Sequence, residues 1–312
     1  MNGLLLVDKP SGITSFEVVR KVRRWCGTRQ VGHCGTLDPA ASGVLPVAVG
    51  SVTRLVEYLL AGDKEYLATL RLGVVTDTQD ADGQVLATHP WEGIDRDALE
   101  AAADSFRGAI SQTPPMYSAL KRDGVPLYRL ARQGQEVERT PRAVQIDALE
   151  LLEITPPLVT LRVVCSKGTY IRTLCHDLGQ QLGCGAHLAA LRRTRCGSFG
   201  IDECFTVAHL EQLAAAGRPL PLIAPAQVLA QWPGLQVHGT ALARLANGIA
   251  PTLTEVTDAA GLVVGQPVRL LVAAQLAAVA RYAPGGAGTR QGDFLLDKVF
   301  PADIAPGRSL QS

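Results

Sequence analysis

Asp38 is the only acid in "GHCGTLDPAASGVLPVAVG" (residues 32–50), where Pro39 follows it directly and glycines bracket the run. A carboxylate in such a setting can serve as nucleophile, base or electrostatic stabiliser. Asp-Pro is also ordinary turn chemistry, because the proline ring pushes the preceding residue towards extended backbone and the carboxylate bonds nearby N–H groups. Two other stretches have residue types that could do chemistry. "CGAH" (184–187), with Cys175 and His176, has zinc-type ligands but lacks a second pair at finger-like spacing, so no metal is expected. "TDTQDADG" (76–83) has the look of a calcium loop, yet Thr78 occupies its first ligand position and His89 its twelfth. It is expected to be a polar turn.

The elements that must position Asp38 follow from periodicity. Thr14 with Glu17 three residues later forms a capping-box pattern, and Val18, Val22 and Trp25 then share one side of a helix whose outer face is basic. "GVLPVAVG" predicts a buried strand, and Val52, Leu55, Val56, Leu59 and Leu60 recur at helical spacing up to Gly62, expected as the closing residue. Asp38 therefore belongs to a loop between elements. Further on, "EYLATLRLG" alternates as a strand, a helix is predicted from near Asp95, and residues 158–183 predict strand, glycine turn, helix. With no regular βαβ repeat, the fold class expected is α+β.

With 47% hydrophobic and 19% charged residues the chain is globular, and its 312 residues suit one large domain plus a smaller one. The net charge of +1 does not by itself point to a polyanion partner, but its distribution is uneven. Residues 18–30 and "LRRTR" (191–195) are basic with no acid, and residues 113–142 form a long, basic, tyrosine-bearing segment expected to be a functional insertion. These three stretches are candidates for phosphate contacts, Lys121, Arg122, Arg129 and Arg132 among them. A composition shift at "APAQVLAQWPG" (224–234) marks the expected start of a second domain. The start of the chain has no basic leader pattern and the longest apolar stretch is too short to span a bilayer, so no membrane association is expected. Seven cysteines without a C-x-x-C pair suggest a reduced, cytoplasmic protein.

"GHCGTLDPAASGVL" resembles the catalytic motif of TruB-type tRNA pseudouridine synthases, G-H-x-G-T-L-D-P-x-A-x-G-V-L, at every fixed position. "LLLVDKPSGITS", "KEYLATLRLGVVTDTQDADG", "PPMYSALKRDGVPLYRLARQG", "CSKGTYIRT" and "LGCGAHLAALRRT" resemble the same family in the same order. The resemblance implies that Asp38 is the essential carboxylate, that Tyr66 stacks on the target uracil and that Arg172 pairs with the aspartate. It further implies that Tyr170 and Leu191 line the base pocket and that His33 lies beside flipped nucleotides. The implied reaction turns a uridine of the tRNA T loop, position 55, into pseudouridine without a cofactor or metal. The tRNA would be held by its T arm or elbow, with a PUA-like, β-rich domain reaching towards the acceptor arm, and a monomer would suffice.

The expected division is a catalytic domain over residues 1–225, with 113–142 inserted, and a PUA-like domain over residues 230–306. "LLVAAQLAAVARY" is rich in helix formers, and only the resemblance makes it strand. Two other readings stand beside the tRNA enzyme. One is the catalytic subunit of a guide-RNA pseudouridylation particle, and the other is a non-catalytic RNA-binding or tRNA-folding protein in which Asp38 only braces a loop.

Overall fold

The computed structural model describes residues 1–118, 120–285 and 292–301. Its first strand, β1 (Gly3–Lys9), is buried on both faces: Leu5 and Val7 enter one core, Leu4 and Leu6 another. That explains why "LLLV" is continuously apolar and not alternating. Helix α1 (Ser15–Cys26) begins at the predicted capping box, with Thr14 and Glu17 bonding reciprocally, and buries Val18, Val19 and Val22. After β2 (Val31–His33) and β3 (Ser42–Val49), a 3-10 turn leads into α2 (Val56–Ala61). Gly62 follows α2 in extended backbone (φ −69°) and not in the left-handed form that a closing glycine usually adopts. It is small for another reason, since a Cβ there would lie 2.8 Å from the Gly197 Cα.

Strand β4 (Lys64–Leu72) alternates as predicted and directs Lys64, Tyr66, Ala68, Leu70 and Leu72 inwards. The short hairpin of β5 (Val74–Thr76) and β6 (Val85–Thr88) encloses the polar turn, and α3 (Arg96–Asp104) starts at Asp95 as its N-cap. Strand β7 (Gly108–Gln112) precedes the basic segment, which folds as a two-residue-per-strand hairpin, β8 (Lys121–Arg122) and β9 (Val125–Pro126), and one short helix, α4 (Leu127–Ala131). Strands β10 (Arg142–Thr155) and β11 (Leu158–Cys165), helix α5 (Ile171–Gln181) and strand β12 (Ala186–Cys196) come next. The short β13 (Phe199–Gly200) and β14 (Phe205–Thr206) and helix α6 (Val207–Ala215) complete this part.

One mixed sheet carries the architecture, in the order β14-β1-β3-β12-β4-β11-β10-β7. Its centre sets the site. Strand β12 runs antiparallel to β4, with Arg193 opposite Tyr66 and Leu191 opposite Ala68, and touches β3 in parallel, with Arg193 opposite Gly43. Gly43 has φ +105°, and a Cβ there would overlap the Arg193 backbone, so the glycine of the motif is what lets β3 and β12 meet.

The remaining strands, β15 (Gly234–Gln236), β16 (Pro267–Val272), β17 (Gln275–Tyr282) and β18 (Phe294–Val299), form a separate four-stranded sheet with α7 (Ala241–Ala246) against it. "LLVAAQLAAVARY" is the end of β16 and the whole of β17, joined by a two-residue turn at Ala273 and Ala274, despite its helix formers, because Leu270, Ala277, Ala278 and Ala280 are buried in one core. Leu271, Leu276 and Val279 point to the other face and join Leu4, Leu6 and Val44 in the second core of the large sheet. No helix among the described residues is long and apolar enough to cross a membrane.

Candidate active site

The Asp38 loop is pinned on both sides by the opening segment of the chain. The Ser15 hydroxyl accepts from the Leu37 N–H and donates to the Leu37 carbonyl, both at 2.9 Å. On the other side, Pro39 O accepts from the Gly12 N–H (2.9 Å) and from Lys9 Nζ (3.2 Å). Lys9 is fully buried and also donates to the carbonyls of Pro10 (2.9 Å) and Ile13 (2.7 Å). Burial brings its ammonium down to about 8, against the pull of the Asp38 charge. The turn at Asp38 closes with the Ala41 N–H donating to Asp38 O at 3.1 Å.

Arg172, in the first turn of α5, is 6% exposed and reaches four partners. Its Nε lies 3.0 Å from Asp38 Oδ2 and its Nη1 3.4 Å from Asp80 Oδ2, while Nη1 donates to Thr78 O (3.2 Å) and Nη2 to Tyr117 O (2.8 Å). One guanidinium thus joins the Asp38 loop, the polar turn and the basic segment. The turn is itself tied down, since Asp80 Oδ1 accepts from Thr78 Oγ1 (2.5 Å) and Gln79 Oε1 accepts from Thr173 Oγ1 (2.9 Å). The sequence identifies a polar turn here but not the part Asp80 plays, because its partner lies 92 positions away.

Asp38 leaves 42% of its side chain open, because its carboxylate faces a cleft of about 560 Å³. Tyr66, Tyr170, Leu191, Arg172 and Arg193 also line that cleft. Tyr66 is 9% exposed, and burial pushes its phenol up to about 12 although the Arg193 guanidinium beside it opposes the shift, so the phenol keeps its proton at neutral pH. Tyr170 is fixed through its backbone, its N–H donating to Gln112 Oε1 (2.7 Å) and its carbonyl accepting from Gln112 Nε2 (3.0 Å). Burial, aided by Asp80, outweighs Arg172 and Lys9 and raises the Asp38 carboxyl above the ordinary carboxylate value. Arginine pairing alone would have lowered it.

Other expected residues lie apart from this group. His33 ends β2 and is not among the residues lining the cleft; its Nδ1 is buried without a partner, and burial next to Arg193 keeps the imidazole below its ordinary value. Lys121 and Arg122 are exposed on the β8–β9 hairpin, while Arg129 and Arg132 are exposed on or beside α4, Arg132 over the Tyr128 ring at 5.8 Å. Lys121 and Arg122 line a second cleft of about 420 Å³ with Arg139 and Arg142. The phosphate reading of "LRRTR" needs correction at Arg193. Strand alternation sends Arg193 into the interior at 1% exposure, and Arg192 is held by Asp8 at 2.8 and 3.2 Å. In α1, Lys21 and Arg24 are both engaged by Glu211 of α6. All seven cysteines are free, and no group of three or more potential ligands clusters among the described residues.

A carboxylate held by an arginine at the mouth of an aromatic- and leucine-lined cleft can attack or stabilise an electron-poor carbon of a flat-ringed substrate. Residues 23–171 match the TruB family pseudouridylate synthase N-terminal domain, and residues 172–222 match the tRNA pseudouridylate synthase B C-terminal domain. The chain is 48% identical over 300 residues to tRNA pseudouridine synthase B of Syntrophotalea carbinolica, covering 96% of this chain and 98% of that one. It is 45% identical to the same-named protein of Geobacter sulfurreducens, over 87% of this chain and 90% of that one. Among solved structures, an H/ACA RNP bound to a substrate RNA containing 2′-deoxyuridine aligns with a TM-score of 0.72 at 27% identity, over 97% of this chain and 87% of that one. Since the motif carrying Asp38, the strand carrying Tyr66 and the helix carrying Arg172 all fall inside the matched span, the chain belongs to the TruB family of pseudouridylate synthases.

Proposed function

We propose that the protein isomerises a uridine of tRNA to pseudouridine, at position 55 of the T loop, with Asp38 as the essential carboxylate. The observation that carries this is the Arg172–Asp38 pair opening onto the Tyr66 cleft. Its support from relatives is the near end-to-end match to proteins named tRNA pseudouridine synthase B. The C1′–N1 bond breaks, the base turns, and C5 takes the place of N1 on the ribose. Asp38 acts at C1′, Arg172 orients its carboxylate, and Tyr66, Tyr170 and Leu191 sandwich the uracil. The base must leave its stack to reach them, at a cost of about a few kcal/mol. Contacts from Lys121, Arg122, Arg129 and Arg132 to phosphates offset that cost, and His33 stands beside the displaced nucleotides.

In this reading residues 1–225 are the catalytic domain and residues 230–306 a PUA-like domain facing the acceptor arm; residues 286–291 and 302–306 lie outside the described residues. The protein works as a cytoplasmic monomer on free tRNA. A guide-RNA particle is the weaker reading, since the end-to-end relatives at 48% and 45% are tRNA enzymes by name, whereas the H/ACA structure stands at 27%. The test is tritium release from C5-labelled uridine in unmodified tRNA by the purified protein. Asp38→Asn removes charge with little change in shape, so it abolishes release while keeping tRNA affinity within about tenfold of the parent. Release near the parent rate would overturn the assignment.

A further inference from the structure

Arg193 is the largest fully buried side chain described, at 1% exposure. Its Nε donates to Val44 O (2.7 Å) and its Nη2 to Gly35 O (3.2 Å), so two strand-and-loop carbonyls of the Asp38 motif hold it. No ion pair among the described residues includes it, although an arginine keeps its charge when buried. Lys64, 6% exposed and two residues before Tyr66 on the same face of β4, repeats the pattern. Its Nζ donates to Leu60 O (2.7 Å) and Gly62 O (2.5 Å) and forms no ion pair among the described residues. Both side chains line the catalytic cleft and flank Tyr66. Asp38 and Asp80, the carboxylates of the site, are both engaged by Arg172.

Buried charges are normally paired, because carbonyl dipoles alone solvate a cation without neutralising it. Two unpaired cations in one cleft wall therefore leave a positive potential awaiting an anion. On the uridine-isomerisation reading, that anion is generated in place. When C1′–N1 breaks, the bonding pair stays with the uracil ring, spread over N1, O2 and O4. C1′ is satisfied by the Asp38 carboxylate, either through a bond to its oxygen or through loss of the C2′ proton to it. The turned ring then bonds C1′ through C5, displacing the carboxylate or accompanied by return of the C2′ proton. Finally C5 gives up its proton and N1 takes one. Between the first and third events the base is an anion free to diffuse within the cleft.

We propose that Arg193, seconded by Lys64, stabilises this detached uracil anion and holds it in the cleft while it turns. A phosphate is the poorer occupant, since the surrounding wall of Tyr66 and Leu191 suits a buried ring and not a solvated backbone group.

The test compares uridine and 5-fluorouridine at the target position of tRNA, in single turnover, by following loss of the starting nucleoside in nuclease digests. Fluorine withdraws electrons and stabilises the anion on its own, so it substitutes for part of the protein's charge. Arg193→Met is expected to slow uridine loss by about 100-fold, the scale of removing one anion-stabilising donor, and 5-fluorouridine loss by clearly less. Arg193→Lys recovers most of the rate, and Lys64→Met shows the same base dependence at smaller amplitude. Equal slowing of both bases overturns the proposal and leaves Arg193 as a brace. Weakened tRNA affinity with a shallower salt dependence also overturns it, in favour of a phosphate contact. Should Arg193→Met fail to fold, Lys64→Met and Arg193→Lys decide between the same outcomes. A parent protein that leaves uridine in tRNA untouched would instead overturn the isomerisation reading itself.

Discussion

Replacing Arg172 separates what its charge does from what its shape does. Arg172→Lys keeps one positive charge, but a lysine ammonium can occupy the place of only one guanidinium nitrogen, whereas Arg172 meets Asp38, Asp80, Thr78 O and Tyr117 O from three. At least one carboxylate contact and one carbonyl contact are lost. Every one of these contacts is made by a charged guanidinium, so taking about 1.5 kcal/mol, the low end for a hydrogen bond to a charged group, for each of the two lost and then discounting because Asp38 is open to solvent gives about 2 kcal/mol of lost stability. The rate falls more than stability suggests, since a displacement of about 1 Å at the reacting carboxylate costs about 100-fold. Arg172→Met goes further by removing the group that draws the Asp38 carboxyl down, while burial and Asp80, which raise it, remain. The sign follows: the carboxyl moves higher, a smaller fraction is ionised at neutral pH, and raising the pH restores part of the rate. Arg172→Lys shows no such recovery. Single-turnover tritium release from weakly acidic to weakly basic pH, with urea denaturation alongside, reads both effects. An acid limb identical in the parent and Arg172→Met would refute the electrostatic half of the argument, and an unchanged rate in Arg172→Lys the geometric half.

Lys9→Met takes the ammonium donor from the carbonyls of Pro10, Ile13 and Pro39, of which only Pro39 O keeps another donor, the Gly12 N–H, and is expected to cost about 3 kcal/mol in urea denaturation, with turnover falling as the Asp38 loop loosens. It also changes the pH dependence of stability. The folded chain holds the Lys9 proton less readily than the unfolded one, so unfolding takes up protons between about pH 8 and the ordinary lysine value, and the Lys9 contribution makes stability rise with pH across that window. The variant should lack that rise, and an unaltered slope would show that the buried ammonium is not its source. Lys121, Arg122, Arg129 and Arg132 together to alanine should flatten the plot of log affinity against log salt by up to four contacts, each worth about 0.7–0.9 in slope. The saturated rate should fall less than in Asp38→Asn, because none of the four lines the catalytic cleft. A fixed slope with a collapsed rate would mean that the segment organises the cleft instead.

The features legible in the sequence are those encoded within a few residues. The capping box at Thr14 and Glu17, the alternation of β4 and the N-cap at Asp95 each rest on local spacing, and each appears where expected. The unread part of the site rests on pairings between distant residues. Asp80 gains its meaning only when α5 swings Arg172 over the turn, and Gln112 only when β7 comes beside the start of α5. Arg193 is an intermediate case. Taken as a run of charge, "LRRTR" describes a solvated surface; taken with the period of a strand, it puts Leu191 and Arg193 on one face and Arg192 on the other, and the structure follows the second.

The helix formers of β17 gave way for a related reason, burial against a neighbour overriding local preference, while Gly62 closes α2 as expected but in extended backbone where Gly197 approaches. The same distinction explains "LLLVDKPSGITS". It offers no group to the cleft lining, yet Lys9, Gly12 and Ser15 together grip the residues on either side of Asp38. A segment can therefore carry the family resemblance as strongly as the catalytic motif while acting through the position of one carboxylate and, at Lys9, through its charge environment. Substitutions of Gly12 and Ser15 should lower turnover in proportion to how far they release the loop, with the chemistry of Asp38 itself unchanged.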